Sequence, residues 1–245
     1  MSTVLLVAGS DSSGGAGLVR DVRTLTRLDT RALCVVTAVT AQSDTQLTAV
    51  HVVPPESVRA QMTAALATRH VDAIKVGMLA TRATVLAVAA ALPQAAPPVV
   101  LDPVLASSSG GELLDEAGRS ALRAALLPRT TLLTPNIPEA AALLGVPIAR
   151  SEAELLRQAA ALLALGPQAV LLKGGHNDGP EATDLLLASN APPRWLRAPR
   201  INAARRGTGC ALSAAIAAGL AAGLALAAAC ERAKEHVAGL LQRAD

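Results

Sequence analysis

The chain has 245 residues, of which 51% are hydrophobic and 17% are charged, and this composition excludes a disordered protein. The formal net charge is +3, but the basic residues are dispersed and form no run of five or more, which argues against a nucleic-acid-binding protein. The chain contains no Phe or Tyr and a single Trp, so it lacks the flat rings on which single-stranded bases stack. We expect one domain, residues 1–245, with an aliphatic core and a small molecule as its ligand.

The cysteines and the first residues indicate the compartment. Cys34, Cys210 and Cys230 have neither metal-ligand spacing nor an even number for disulfide pairing, which favours a reduced cytoplasm. The first residues lack the basic start and long apolar run of a signal peptide and are interpreted as a buried strand. The segment from Cys210 to Cys230 carries no charge, but Gly219 and Gly223 interrupt it, so we predict two buried helices instead of a membrane span. We therefore expect a cytoplasmic protein with no membrane partner.

Short runs of Val, Ile and Leu alternate with longer segments rich in Ala, Leu and Arg that have helical period. This alternation is typical of a three-layer α/β fold, in which helices cover both faces of a mostly parallel central sheet. The predicted strands are Thr3–Ala8, Ala32–Ala38, Ala49–Val53, Ala73–Val76, Val99–Leu101, Thr131–Thr134 and Ala169–Lys173. The predicted helices between them are Ala16–Leu28, Pro55–Thr68, Thr81–Leu92, Asp115–Leu127, Pro138–Leu144 and Ser151–Leu165.

The last third of the chain predicts a hairpin followed by two helices. Strands Asp184–Ala188 and Arg194–Ala198, joined by Asn190-Ala191-Pro192-Pro193, are expected to close one edge of the sheet. The helices are expected from Thr208 to about Ala222 and from Leu224 to about Arg243. One start signal is specific: Ser151, with Glu154 three residues later, predicts a capping box.

Ligands of such sheets bind beyond the carboxyl ends of the strands, so the loops there are candidate sites. The loop from Gly9 to Gly17 joins the first strand to the helix that carries Asp21, and its glycines allow backbone N–H groups to approach a ligand. A tight βα turn explains these glycines equally well, and the loop matches neither a P-loop nor a dinucleotide fingerprint. Gln42, after the second strand, can pair with a heteroaromatic ring, whereas a surface Gln is the commoner case.

Two further strand ends carry carboxylates. Asp102 follows the buried strand Val99–Leu101, and Asn136 and Glu139 lie one helical turn apart after the next strand. Oxygens at that spacing can face one point, as Mg²⁺ and its phosphates require. Asn136 as a helix cap, with Glu139 at the positive end of the helix, is the alternative, and the two roles are compatible.

The strongest signal is Gly207-Thr208-Gly209-Cys210 at the start of a long apolar helix. Successive backbone N–H groups there form a hole for an anion, such as a phosphoryl group in transfer. In that positive field we expect Cys210 to have a lowered pKa and to act as a thiolate base, while a buried structural Cys is the alternative. Lys173, which ends a buried strand, is a candidate cation for the transferred phosphoryl group, although a solvated charge is more usual.

Seven motifs in chain order together resemble bacterial hydroxymethylpyrimidine/phosphomethylpyrimidine kinases of the ribokinase-like superfamily. They are Gly9-Ser-Asp-Ser-Ser-Gly-Gly-Ala-Gly, Thr37-Ala-Val-Thr-Ala-Gln, Lys75-Val-Gly-Met-Leu, Asp102-Pro-Val, Thr134-Pro-Asn-Ile-Pro-Glu-Ala, Lys173-Gly-Gly-His and Gly207-Thr-Gly-Cys. The resemblance implies two successive ATP- and Mg²⁺-dependent phosphorylations, of 4-amino-5-hydroxymethyl-2-methylpyrimidine and then of its monophosphate, in thiamine biosynthesis. It also implies a homodimer.

The resemblance assigns roles position by position. Cys210 is implied as the general base, with Gly207, Thr208 and Gly209 as the anion hole. Asp102, Asn136 and Glu139 are implied at the nucleotide phosphates, with Asp102 and Glu139 as metal ligands, and Lys173 as the cation beside them. The positions implied to hold the pyrimidine are Gly9, Asp21, Gln42, Met78 and Val104.

Three residues depart from the resemblance: Arg206 stands where His is usual, Ser12 where Pro is usual, and Ser108 where Lys or Thr is common. Two other functions stay open at this point. Pyridoxal has a similar ring with a hydroxymethyl arm, so a pyridoxal kinase is the nearer alternative. A protein that binds the pyrimidine without consuming ATP is the other.

Overall fold

The structure is a computed structural model that describes residues 1–107, 111–175, 180–201, 203 and 205–242. It contains one nine-stranded sheet, in the order β3-β2-β1-β4-β5-β6-β7-β8-β9. Its strands are β1 Thr3–Asp11, β2 Arg31–Gln42, β3 Leu47–Val52, β4 Ala73–Val76, β5 Val99–Leu101, β6 Leu132–Leu133, β7 Ala169–Leu172, β8 Glu181–Ala188 and β9 Ala191–Pro199. Strands β2, β1, β4, β5, β6 and β7 run parallel, and β3 and the β8–β9 hairpin add antiparallel pairs at the two edges.

The helices cover both faces of this sheet. They are α1 Gly17–Arg27, α2 Pro55–Thr68, α3 Arg82–Ala91, α4 Glu116–Ala121, α5 Ile137–Leu144, α6 Glu152–Leu163, α7 Thr208–Ala221 and α8 Leu226–Gln242. Adjacent strand residues supply opposite cores: Leu5 and Val7 pack with the side chains of α2 to α6, while Val4 and Leu6 pack with those of α1, α7 and α8. Strands buried on both faces account for the continuous apolar runs in the sequence, and the three-layer prediction is confirmed.

The alanine-rich segment forms the predicted helix pair. Helix α7 is buried along most of its length, and Gly223, with φ of 81°, provides the left-handed turn before α8. None of the helices within the described residues combines the length and hydrophobicity that crossing a bilayer requires. The predicted end of the last helix at Arg243 lies outside the described residues.

Several predicted boundaries are wrong, and the differences concern the site. Strand β1 continues to Asp11 and β2 to Gln42, because pairing between the two strands persists beyond the apolar residues, as Ser10–Val39 and Asp11–Thr40. Thr40 and Gln42 therefore belong to a strand and not to a loop. In the hairpin, Pro192 lies within β9, at the open edge of the sheet, where a missing N–H costs no ladder bond.

Two helix predictions also change. The segment Asp115–Leu127 is α-helical only to Ala121, continues as a π-helical turn over Leu122–Leu126, and ends in a 3₁₀ turn over Leu127–Arg129. The side chain of Ser151 does cap α6, but Glu154 accepts the N–H of Arg150 at 2.7 Å instead of closing a box with Ser151. Both changes lie away from the carboxyl ends of the parallel strands.

The chain moves from β1 to β2 on one side and then to β4 on the other side of β1. This is the point where strand order reverses, and α/β sheets bind ligands in the crevice outside the carboxyl ends of the strands at such a point. The ends of β1, β2, β4, β5, β6 and β7 carry most of the polar residues singled out in the sequence.

Candidate active site

A cleft of ≈ 1490 Å³ opens at the carboxyl ends of the parallel strands. It contains all but one of the predicted site residues: Gly9, Gln42, Met78, Asp102, Val104, Asn136, Glu139, Lys173, Gly207, Thr208, Gly209 and Cys210. The exception is Asp21, which is completely buried behind the cleft wall. Residues from six strand ends and from the start of α7 thus meet around one space.

Helix α7 begins at the cleft without a side-chain cap. Its N-cap, Gly207, has φ of 74°, and the first intrahelical bond runs from the N–H of Ala211 to the carbonyl of Gly207. The N–H groups of Thr208, Gly209 and Cys210 precede that bond and have no acceptor within the helix, because the first turn of any helix leaves its donors free. Since all three residues line the cleft, their N–H groups and the helix dipole form a place for an anion.

A left-handed glycine is required at this entry. A Cβ on Gly207 would clash with the carbonyl oxygen of Gly15, so only a glycine allows the start of α7 to approach the β1–α1 turn. The sequence motif therefore has a packing reason as well as an electrostatic one.

The expected lowered pKa of Cys210 is wrong. Burial raises the pKa of the Cys210 thiol to about 11, and the positive charge of Lys75 and a hydrogen bond from the Gly17 N–H oppose the rise without reversing it. Asp21 and Asp102 raise it further. The sulfur lies at the start of α7 as predicted, but desolvation outweighs the field of the helix end, so the free protein holds a thiol at neutral pH.

A buried ion pair lies beneath this cysteine. Lys75 Nζ is 2.7 Å from Asp21 Oδ2, and both side chains have 0% exposure. Burial lowers the pKa of Lys75, but the charges of Asp21, Cys210 and Asp102 and the hydrogen bond to Asp21 together outweigh it, and the net direction is upward. Burial raises the pKa of Asp21 to about 6, with Lys75 opposing, so both groups are charged at neutral pH. This geometry contradicts direct contact between Asp21 and a ligand in the cleft, since Asp21 reaches the site through Lys75.

Lys173, Asp102 and Glu139 form a second charged cluster under the first turn of α7. Lys173 Nζ lies 2.8 Å from Asp102 Oδ1 and 3.9 Å from Glu139 Oε2. A Cβ on Gly209 would lie 3.3 Å from Lys173 Nζ and 3.6 Å from Asp102 Oδ2, so the helix start is directly adjacent to both charges. Lys173 was predicted as a cation beside the phosphates, and the structure places it between two carboxylates and three free N–H groups.

Asn136 and Glu139 form a complete capping box at the start of α5. Asn136 Oδ1 accepts the N–H of Glu139 at 2.7 Å, and Glu139 Oε2 accepts the N–H of Asn136 at 2.7 Å. Burial raises the pKa of Glu139 to about 7, while Lys173 opposes and Asp102 adds to the rise. The capping alternative is therefore observed, and it leaves Glu139 facing the cleft beside Asp102.

These carboxylates fit a divalent cation that is held mainly by a ligand's phosphates. Within the described residues no three His, Cys, Asp or Glu side chains form a cage for a metal. Mg²⁺ commonly uses only one or two protein carboxylates and completes its shell with phosphates and water. Asp102 and Glu139, which lie on either side of the Lys173 ammonium group, match that pattern.

The other end of the cleft is built from β1, β2 and β4. A Cβ on Gly9 would lie 2.9 Å from Met78 Sδ, so the glycine permits the Met78 side chain to pack across the strand end. Gln42 ends β2, with its backbone N–H donating to Ser12 Oγ at 2.9 Å and its side chain in the cleft lining. Met78 and Val104 contribute apolar surface here and Gln42 contributes an amide, a combination suited to a substituted aromatic ring, within a cleft lining that also carries charged side chains.

A family model described as phosphomethylpyrimidine kinase matches residues 11–245. The chain belongs to this family. A Rhizobium meliloti protein named hydroxymethylpyrimidine/phosphomethylpyrimidine kinase is 45% identical over 242 residues, which cover 98% of this chain and 91% of the relative.

Solved structures agree with this membership. A Clostridium difficile phosphomethylpyrimidine kinase has a TM-score of 0.86 at 33% identity, covering 99% of this chain and all of the other. The Staphylococcus aureus pyridoxal kinase in complex with AMP-PCP and pyridoxal has a TM-score of 0.90 at 29% identity, covering 99% of this chain and 88% of the other. The predicted ribokinase-like fold and the predicted class of enzyme, a phosphotransferase, are confirmed.

The sequence interpretation gave no role to several residues that shape the site of this family member. Lys75 had a detectable signal, because a charged residue in the buried strand Ala73–Val76 requires a buried partner. Asp184, which accepts the Gly174 N–H at 2.9 Å and binds Lys234 Nζ at 2.6 Å, had none, since its partners lie far away in sequence. His176, the last residue of the Lys173-Gly-Gly-His motif, and Ser108 lie outside the described residues.

Proposed function

We propose that this protein transfers the γ-phosphoryl group of ATP to the hydroxymethyl oxygen of 4-amino-5-hydroxymethyl-2-methylpyrimidine, and then phosphorylates the monophosphate, in thiamine biosynthesis. The observation that carries the proposal is the position of Cys210. Its sulfur accepts the N–H of Gly17, which pairs with the end of β1 beside Gly9, and its neighbour Gly209 lies against Lys173 and Asp102, all in one cleft. The names of the family relatives support the same acceptor.

The pyrimidine is proposed to lie against Gly9, Met78 and Val104, with the Gln42 amide pairing with a ring nitrogen and the amino group. An amide can donate and accept together, which suits the two adjacent groups of an aminopyrimidine. Asp21 is assigned a different part from the one expected: it holds Lys75 in place, and Lys75 faces the cleft.

The acceptor hydroxyl is proposed to lie beside Cys210. The thiol first loses its proton to solvent, and the resulting thiolate accepts the hydroxyl proton as the oxygen attacks phosphorus and the bond from phosphorus to the ADP oxygen breaks. The transition state of phosphoryl transfer is loose, so the catalytic burden falls on positioning and charge stabilisation and little on covalent chemistry. The N–H groups of Thr208, Gly209 and Cys210 stabilise the equatorial oxygens of the transferred group, and Lys173 adds a positive charge at the same place. Lys75, below the sulfur, favours the thiolate during the transfer.

Asp102 and Glu139 are the residues proposed to hold Mg²⁺, with Asn136 orienting Glu139 through the capping box. When bound, Mg²⁺ neutralises charge on the phosphates. The raised pKa of Glu139 means that a bound cation, by favouring the carboxylate, would draw this residue to its ionised form.

A steady-state phosphorylation assay tests the proposal. With Mg²⁺ and ATP, kcat/KM for the hydroxymethylpyrimidine should exceed that for pyridoxal, and the monophosphate should also be a substrate. The similar structure of the S. aureus pyridoxal kinase supports pyridoxal as the second candidate, and a higher kcat/KM for pyridoxal would replace the first. Absence of phosphorylation with both compounds would favour a binding protein.

Replacing the proposed base is the sharper part of this test. Cys210→Ala should lower kcat by ~10²-fold or more, because the proton has no other acceptor at that position. Cys34→Ala is the matched control, since Cys34 is exposed and does not line the cleft, and it should keep wild-type kcat. Full activity of Cys210→Ala would refute the assignment. Homodimer formation and a cytoplasmic location stay predictions.

A further inference from the structure

Arg206, the residue immediately before the anion hole, connects two turns, one after β1 and one after β2. Its Nη1 donates to Ser13 Oγ at 3.0 Å and to the Ser43 carbonyl at 2.7 Å, and its Nη2 donates to Asp11 Oδ2 at 3.1 Å. Asp44 lies 3.6 Å away as a second, exposed carboxylate. The Arg206 side chain has 15% exposure and Asp11 has 5%, so this ion pair is well shielded from solvent.

The two turns are those that form the pocket proposed for the pyrimidine. Residues 11–13 lead from β1 toward α1, and residues 42–44 lead from β2 toward β3; we call these six residues the loop junction. Asp11 also accepts the N–H groups of Ser13 and Ala16, so the carboxylate that binds Arg206 organises the whole β1–α1 turn.

A second contact holds the loop junction together from the other side. Ser12 Oγ donates to the Gln42 carbonyl at 2.8 Å and accepts the Gln42 N–H at 2.9 Å. Gln42 is the residue whose side-chain amide is proposed to bind the pyrimidine ring. Its backbone is fixed by the Ser12 hydroxyl, and the carbonyl of the next residue, Ser43, is fixed by Arg206. At both Ser12 and Arg206 the sequence departs from the family pattern that it resembles. The two side chains bind the backbone of adjacent residues, Gln42 and Ser43.

We propose that Arg206 is a positioning residue that fixes the pyrimidine pocket relative to the anion hole, by clamping the loop junction to the start of α7. The inference rests on the proposed function. The guanidinium is already neutralised by Asp11, and its hydrogen-bond and ion-pair partners within the described residues all lie in the loop junction, so it acts through Asp11, Ser13 and Ser43 rather than on a phosphate. Arg206 is joined directly to Gly207, the first residue of the anion hole. The distance from the bound pyrimidine to the anion hole therefore depends on the contacts of Arg206 with the loop junction.

The proposal predicts that a change at Arg206 raises KM for the pyrimidine much more than KM for ATP. Arg206→Ala should raise KM for the pyrimidine about ten-fold, as expected for the loss of a few hydrogen bonds that organise a binding pocket. KM for ATP should stay within about two-fold of wild type, because the nucleotide side of the cleft keeps Lys173, Asp102 and Glu139. Arg206→Lys retains the charge but not the fork of donors, and should give an intermediate KM for the pyrimidine.

The control is Arg157→Ala, since Arg157 is 71% exposed and pairs weakly with Glu154 at 3.9 Å outside the cleft. A second measurement is independent of kinase activity: hydrogen–deuterium exchange of wild type, Arg206→Ala and Arg157→Ala. Exchange should become faster in residues 11–16 and 42–46 of Arg206→Ala and stay unchanged in α2, whose hydrogen bonds to β2 are made by Gln61 at Val36, six residues before Gln42. If Arg206→Ala fails to fold, Arg206→Lys is judged by the same two measurements.

Four results would overturn the proposal. They are an unchanged KM for the pyrimidine, equal increases of both KM values, an increase only for the phosphorylated acceptor, and unchanged exchange in the loop junction. The third would make Arg206 a phosphate ligand. Because exchange needs no substrate, a protein without kinase activity but with a loosened loop junction would refute the proposed function while retaining the clamp.

Discussion

At the scale of single residues, the site depends on the competition between burial and charge around Cys210. The helix start, the Gly17 N–H and Lys75 favour the thiolate, while desolvation and two carboxylates favour the thiol, and the thiol prevails in the free protein. Lys75 is the strongest of the groups that favour the thiolate, and it is held in place by Asp21 alone among the hydrogen-bond partners seen in the described structure. A thiol can act as a base only after it has lost its own proton, and Lys75 is the charge that most favours this loss, which gives the ion pair its importance.

Removing both charges of the pair tests this view. In the double variant Asp21→Asn/Lys75→Met, the pKa of Cys210 should rise further, because Lys75 lowers it by more than Asp21 raises it. The fraction of thiolate at a given pH then falls, so alkylation of Cys210 by iodoacetamide should require a higher pH than in wild type. Peptide mass spectrometry across pH values separates Cys210 from Cys34.

The double variant is preferred to Lys75→Met alone, which would leave a lone buried carboxylate and cost about 3 to 5 kcal/mol of stability. The double variant Asp184→Asn/Lys234→Met provides the matched comparison, since these two residues pair with each other and neither is among the groups that act on Cys210. An alkylation profile that moves to lower pH, or that moves equally in both variants, would contradict the role of Lys75.

At the scale of elements, the start of α7 is where conformation and electrostatics coincide. Gly207 takes a left-handed conformation, its backbone is adjacent to Gly15, and the next three N–H groups face the cleft. The helix otherwise has little polarity: it is buried by its alanines between the sheet, α1 and α8. Close packing of these small side chains holds the anion hole at a set height above Asp102 and Lys173.

Two glycine substitutions separate conformation from close approach. Gly223→Ala should cost ~1 to 2 kcal/mol of unfolding free energy, because its φ of 81° is unfavourable for alanine while no atom lies within 4 Å of the new Cβ. Gly207→Ala has the same conformational cost plus a contact with the Gly15 carbonyl, so it should destabilise more and also lower kcat by displacing the N–H groups. Urea unfolding and the kinase assay measure the two effects. Equal losses for the two variants would show that the close approach is unimportant.

At the scale of the whole molecule, the cleft is lined by elements from distant parts of the chain. Its walls come from both sides of the point where strand order reverses and from α7 and α8 on one face of the sheet. A ligand that contacts all of them binds only the folded state, and therefore stabilises the fold as a whole.

Saturating ATP with Mg²⁺ is expected to raise the melting temperature. At about 100 times Kd the gain is ~2.7 kcal/mol, which corresponds to about 5 to 10 °C for a chain of this size. With EDTA present the shift should shrink, because Asp102 and Glu139 would face the phosphates without an intervening cation. Differential scanning fluorimetry measures both conditions, and an equal shift with EDTA would contradict a metal at these carboxylates.

Much of the architecture was predictable from local patterns. The boundaries of β4, β5 and α2 match the predicted ones, because apolar runs and helical period reflect interactions within a few residues. The glycine-rich start of α7 was also recognisable, since a loop-to-helix glycine motif has few other uses. The resemblance then predicted that the residues at the strand ends form one site. The structure places all of the predicted site residues except Asp21 in the cleft lining.

What only the tertiary structure decided concerns contacts between distant parts of the chain. The ion pair of Lys75 with Asp21, the clamp of Arg206 on Asp11 and the raised pKa of Cys210 each join residues from separate elements. A sequence pattern carries side-chain chemistry and local period, and from these α/β layers and a candidate helix-end anion site followed. Desolvation and pairing depend on which groups the completed fold brings within a few ångströms, so they determined the protonation of Cys210 and the partners of Arg206.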